Sequence, residues 1–179
     1  MNKITSLFIG LLISTFAFSQ QKIEKQTTQA EQFSATAGTL IEKQFADIGK
    51  VKGVTIQVLK FIDLNNGASK SALRFEYIYK SSYTSDTKIA SLDLDEIDGL
   101  IKSINNLQSV VFTTTRDVYT EVTFTSRTGF MAGAYFDIDK LKWFGFVKLE
   151  KYDSNSQLFL TTEDFASLLA LVEQAKAKM

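Results

Sequence analysis

From Thr39 onward, apolar positions recur at every second residue over most of the chain, the period of half-buried strands. Val54, Ile56 and Val58 alternate with Thr55, Gln57 and Leu59, and Leu73, Phe75, Tyr77 and Tyr79 alternate with Arg74, Glu76, Ile78 and Lys80. Between them, Asp63-Leu64-Asn65-Asn66-Gly67 supplies turn chemistry, with Asn-Gly suited to positive φ. A shorter run, Thr87 to Leu92, leads into a change of period. Ile97, Leu100, Ile101, Ile104 and Leu107 make an apolar stripe at helical spacing, and Asp93 with Glu96 three residues later has the form of a capping box. The same order then returns. Val122 and Phe124 alternate with Glu121, Thr123 and Thr125, and Arg127-Thr128-Gly129 makes a turn. Phe130 to Phe136 is a predicted strand, Asp137 to Lys140 a turn, Lys142 to Lys151 the longest strand and Gln157 to Leu160 a short one. Thr161 with Asp164 caps a last helix whose stripe is Phe165, Leu168, Leu169 and Val172; Lys176 and Lys178 suit the negative end of its dipole.

The return is a repeat. Ala90 to Ile104 aligns without a gap on Leu158 to Val172: a leucine ends a strand, a capping residue follows, then acidic residues, then the apolar stripe. The repeat also decides an ambiguous stretch. Leu40 to Ile48 fits helical spacing at 41, 45 and 48, but the second half has four strands before its helix and the first has four only if this stretch is a strand. Gly49-Lys50-Val51-Lys52-Gly53 then reads as a hairpin loop. The expected fold is α+β: a tandem β4α duplication, antiparallel meander sheets with two helices on one face. It forms one globular domain over 39–179, with halves 39–110 and 117–179.

Ahead of this domain, Met1-Asn2-Lys3 is a short basic region and Ile4 to Phe18 an apolar one, followed by Ala17-Phe18-Ser19-Gln20 with small residues where a signal peptidase reads. Residues 1–20 are expected to be a signal peptide, and 21–38 a polar, flexible lead-in with a short helix as the alternative. Removing 20 of the 179 residues leaves 159, and removing Lys3 turns a balanced charge to −1. No global field points to nucleic acid, and no membrane span is expected after cleavage.

Absent residue types narrow the chemistry. The chain has no Cys, which excludes disulfides, thiolate nucleophiles and zinc–thiolate sites. It has no His, the usual general base, metal ligand and pH switch. Its arginines are Arg74, Arg116 and Arg127 alone, so bidentate anion recognition rests on those three. Asp93, Asp95, Glu96 and Asp98 are a candidate cation cluster, but a helix start asks for the same residues, and the repeat again places acids, Glu163 and Asp164, at a helix start. Asp63, Asn65 and Asn66 are read as a turn in preference to a calcium loop. No phosphate loop is present: Gly129-Phe-Met-Ala-Gly133 lacks the lysine. No Ser–Lys motif supports nucleophilic catalysis, and a carboxylate pair for glycoside hydrolysis is too unspecific among twenty acidic residues to locate. No catalytic residue, metal or cofactor is assigned.

The aromatic residues carry the remaining signal. If Phe75, Tyr77 and Tyr79 face the helices, the 68-residue offset places Trp143, Val147 and Leu149 on the same buried face, and Phe144 and Phe146 point the other way. Arg74, Tyr119, Arg127 and one of Tyr135 or Phe136 are expected to join them on an outer sheet face able to bind a ligand. Cover by residues 20–38 or by a dimer mate is the competing reading.

Gly38-Thr-Leu-Ile-Glu-Lys, Val58-Leu-Lys-Phe-Ile-Asp63-Leu, Leu92 to Ile101 and Tyr119-Thr-Glu-Val-Thr-Phe resemble segments of a group of small exported proteins of Bacteroidetes-type bacteria, as does a signal peptide ending in Phe-Ser-Gln. The resemblance implies a location and no chemistry. The expected function is therefore a periplasmic or secreted, non-enzymatic binding module with a protein or glycan partner. A carboxylate-based hydrolase of envelope glycans and a structural homodimer are the alternatives.

Overall fold

A computed structural model describes residues 26–179. The expected signal peptide and the start of the lead-in lie outside the described residues. The described chain runs α1 (Gln29–Ser34), β1 (Ile41–Val51), β2 (Val54–Asp63), β3 (Ser69–Lys80), β4 (Ser85–Leu92), α2 (Leu94–Asn106), β5 (Thr120–Thr125), β6 (Met131–Asp137), β7 (Lys142–Lys148), β8 (Gln157–Leu160) and α3 (Thr162–Lys176). Two four-stranded antiparallel meanders form, β1-β2-β3-β4 and β5-β6-β7-β8, each followed by a helix. This is the duplicated β4α unit. Thr161 with Asp164 makes a reciprocal capping box, whereas at Asp93 the Glu96 carboxylate accepts the Asp93 N–H at 3.1 Å and the Glu96 N–H donates to the Asp93 carbonyl, which leaves the Asp93 carboxylate for other partners.

Several local details differ from the sequence expectation. Residues 41–51 are a strand, but the hairpin that follows is only Lys52-Gly53, with φ of 48° and 85°, the left-handed pair of a two-residue turn. Gly49 instead sits at a register shift within β1, where a Cβ would come within 2.6 Å of Leu171 on α3. The helix weighed as the alternative for the lead-in forms as α1. The longest strand is β3, and β7 stops at Lys148 because Glu150 to Ser156 folds into a turn held by the Ser156 hydroxyl. Asp63 does close the β2–β3 turn: its carboxylate accepts from the Asn65 N–H at 2.9 Å and the Asn66 amide at 2.8 Å. α2 runs on through a π-helical turn, Leu107–Val111, where the Phe112 N–H donates to the Leu107 carbonyl.

One continuous core joins the halves. Phe75 and Phe130 stack at 4.5 Å, and Val58, Leu73, Leu100, Val147, Leu168 and Val172 belong to the same buried cluster. The helices are shared between the sheets: α3 lies over β1 and β2 as well as β8, and α2 touches β5 and β6 as well as β3. Where the halves differ, they compensate. Leu92 and Leu160 are equivalent, yet Leu92 pairs with Leu73 while Leu160 pairs with Gly145. A Cβ on Gly145 would collide with the ring of Phe165, whose counterpart in α2 is the smaller Ile97. The missing side chain at Gly145 leaves the room that the larger Phe165 ring occupies.

Candidate recognition surface

The register of the second sheet divides its side chains cleanly. Trp143, Gly145 and Val147 face the helices, with Phe124, Ala132, Ala134 and Phe136 beside them. Trp143 donates its Nε1–H to the Thr114 carbonyl at 2.7 Å. Lys142, Phe144, Phe146 and Lys148 face outward, opposite Tyr135 and Gly133 on one side and Phe159 and Gln157 on the other. A row of rings results. Tyr135 stacks on Phe144 at 5.4 Å, meets Phe159 edge-on at 6.4 Å and lies 6.3 Å from Tyr119. Phe159 and Tyr119 are 57% and 58% exposed, whereas Phe146, enclosed by its neighbours, is only 7% exposed. Gly133 is required here, since a Cβ would collide with the Val122 carbonyl oxygen.

Charges are attached to this row. The ammonium groups of Lys142 and Lys140 lie 4.7 and 5.0 Å from the Phe144 ring centre. Lys140 also donates to Asp137 at 2.8 Å, which raises the lysine above its ordinary pKa and holds the Asp137 carboxyl below its own. The Tyr119 hydroxyl donates to Glu121, and that hydrogen bond pushes the phenol up.

Of the residues expected to share one outer face, the structure brings together Tyr119, Phe144 and Phe146. It adds Tyr135, Phe159, Lys140 and Lys142, and places Phe136 in the core. Arg74 and Arg127 lie elsewhere. Arg74 is on the outer face of the first sheet, bonded to Gln57 and Glu76 and set 5.5 Å from the Phe45 ring. Arg127, in the β5–β6 turn, reaches Asp93 at 2.5 Å, Asp95 at 2.8 Å and Glu96 at 3.6 Å. Sequence reasoning missed Phe159, although its signal was present: it occupies the outward parity of β8, directly across from Phe146.

The Asp93, Asp95 and Glu96 carboxylates converge closely enough to ligate a cation. Arg127 already supplies their positive charge, and the buried Asp93 carboxylate further accepts the N–H groups of Gln29 and Ala30, at 2.7 and 3.3 Å. The cluster is a structural junction between α1, the start of α2 and the second repeat. A cleft of about 950 Å³ opens beside it, between β4 and the turns of the second sheet, with Ile89, Ser91, Thr125, Leu149 and Tyr152 on its walls. A smaller cavity of about 360 Å³ lies near Trp143, Phe112 and Thr161. The carboxylates with displaced pKa values are all lowered. Lys88 holds Asp153 down, Lys140 holds Asp137 down, and the backbone N–H and the Thr161 hydroxyl hold Glu163 down. For Asp164, burial is outweighed by hydrogen bonds from Thr161 and by Lys52. A general acid of a glycosidase needs the opposite displacement, so these groups give the hydrolase alternative no support.

Comparison of the chain with family models, with curated proteins and with solved structures finds no match. Among the described residues no helix is long and apolar enough to cross a membrane.

Proposed function

We propose that this protein is an exported, non-enzymatic interaction module, active in the periplasm or outside the cell, that binds a protein or glycan partner on the outer face of its second sheet. The observation that carries the reading is the row Tyr119–Tyr135–Phe144–Phe159, four neighbouring rings on one sheet face of which two are more than half exposed, whereas the exposed rings of Phe45, Tyr83 and Tyr152 pair with no other ring among the described residues. Contiguous exposed aromatic surface on a rigid sheet is costly to leave in water and is what recognition surfaces are built from. The apolar N-terminal stretch and the resemblance to exported Bacteroidetes-type proteins support the location; the absence of His and Cys supports a role without catalysis. Phe146 serves as the base of the surface, and Tyr119, Phe144 and Phe159 as its contacts. The test uses the double variant Tyr119→Ser/Phe159→Ser on a glycan array and against extracts of the producing cell's envelope. Binding by the wild type that falls at least tenfold in the variant, with an unchanged circular dichroism spectrum, supports the reading. Equal binding by both proteins overturns it.

A further inference from the structure

Each four-stranded sheet has two edges, and an unpaired edge is a template for another strand unless something guards it. Three of the four edges are guarded. β1 carries a register shift between Asp47 and Gly49 and the charges of Glu42, Lys43, Asp47 and Lys50. At β4 the Ser91 carbonyl accepts the Thr128 hydroxyl at 2.8 Å, and Lys88 ties the strand to Asp153 at 2.5 Å. β8 is four residues long. β5 has none of these devices. Thr120–Thr125 pairs with β6 in unbroken register, contains no Gly or Pro, and its single charge, Glu121, is engaged by the Tyr119 hydroxyl.

The direction of the β5 backbone groups follows from the turn. The Ser126 N–H donates to the Phe130 carbonyl at 2.8 Å, toward β6. Alternate residues share a side, so Phe124, Val122 and Thr120 also point their N–H and C=O groups at β6. Glu121, Thr123 and Thr125 point theirs outward, and among the described residues none of those groups has a partner.

We infer that β5 pairs antiparallel with β5 of a second copy of this chain, joining the two second sheets into one continuous eight-stranded sheet. The edge is self-complementary. With the twofold axis at Thr123, the outward-facing residues match each other: Thr123 faces its own copy, and Glu121 faces the partner's Thr125. No like charges meet, and the central Thr–Thr pair is a favourable cross-strand neighbour. The aromatic rows of the two copies then lie on the same face of one sheet, so a ligand that spans both gains avidity.

Sedimentation velocity of the chain from residue 21 to 179, over a hundredfold range of concentration, tests this together with Thr123→Lys. The substitution sets two ammonium groups against each other on the twofold axis. Because the Thr123 N–H and C=O point away from β6, it leaves the β5–β6 ladder intact. The expected result is a dimer for the wild type and at least a tenfold weaker dimer for Thr123→Lys, with the same melting temperature at low concentration. Thr123→Ser, which keeps the small hydroxyl, retains the dimer. A wild type that sediments as a monomer throughout overturns the inference. So does a dimer that survives Thr123→Lys; its loss in Tyr119→Ser/Phe159→Ser instead would assign self-association to the aromatic face.

Discussion

The outer faces of the two sheets occupy equivalent positions in the repeat and are used differently. On the first sheet, Leu59, Phe61 and Ala72 point away from the main core and are nevertheless buried, because α1 lays Ala30 and Phe33 over them. Next to this patch, Arg74, Gln57, Glu76 and Asp47 form a hydrogen-bonded polar surface. On the second sheet the corresponding face carries Tyr135, Phe144, Phe146 and Phe159 with no described segment over it. A duplication thus yields two similar scaffolds. An outward apolar residue is core where the chain returns to cover it and surface where the chain does not. Its identity alone does not decide which.

The sharpest way to break this contrast is to truncate one ring on each face. Phe61→Ala removes a ring that is 2% exposed and should destabilise the protein by about 4 kcal/mol, as buried Phe-to-Ala changes do. Urea unfolding measures it, and a loss below about 1 kcal/mol would show that α1 does not seal the patch. Asp93→Ala is expected next, at about 3 kcal/mol, because it leaves the Gln29 and Ala30 N–H groups without their acceptor and Arg127 with only Asp95 and Glu96. Hydrogen exchange should show α1 losing protection well before the strands of either sheet. Uniform loss across all strands would mean that α1 is no separate unit.

These two variants also mark the limit of what the sequence discloses. The strands, the helices and the duplication were legible because period, capping residues and turns are local signals. Even an error in the alignment was harmless. The repeat offset is 68 residues at the helices, but Gly145 lies 72 residues beyond its counterpart Leu73. The slip of four is even, so Trp143, Val147 and Leu149 keep their inward face and Phe144 its outward one. What stayed hidden depends on distant partners. Nothing local in Gln29–Ser34 tells that it docks on Phe61, or that a carboxylate 64 residues away accepts its N–H groups. Arg127 and Arg74 likewise carry no mark of the carboxylates that occupy them.

A smaller effect separates the joint between the sheets from the faces themselves. Lys88 lies between Asp153 and Asp86, and the hydrogen bonds its ammonium donates to both carboxylates, Asp153 the stronger, push its pKa up while Lys88 holds Asp153 down. A lowered carboxylate stabilises the fold above its unfolded pKa of about 4 and loses that contribution as pH falls through the folded value. The raised lysine works in the opposite sense: its contribution is complete below its unfolded pKa of about 10.5 and is lost as pH rises through the folded one. Melting temperature should therefore be flat with respect to this pair from about pH 5 to 10 and fall on the acid side. Asp153→Asn should lower the plateau and flatten the acid limb. An unchanged acid limb would show that the pair does not couple the sheets.

The smallest expected effect is the most informative about function. Phe159 is exposed, sits on a four-residue edge strand and meets Tyr135 only edge-on. Phe159→Ser gives up one edge-on aromatic contact and the covered minority of a ring that is 57% exposed, so it should cost about 1 kcal/mol in urea unfolding. Set against Phe61→Ala, this is a several-fold difference for the same residue type on the same face of equivalent sheets. A cost near that of Phe61 would mean that the second face is a core covered in solution, by a second copy or by chain ahead of Gln26. Sedimentation separates those two. A small cost means that the ring contributes little to folding, and the aromatic row is then a surface whose value lies in what it contacts.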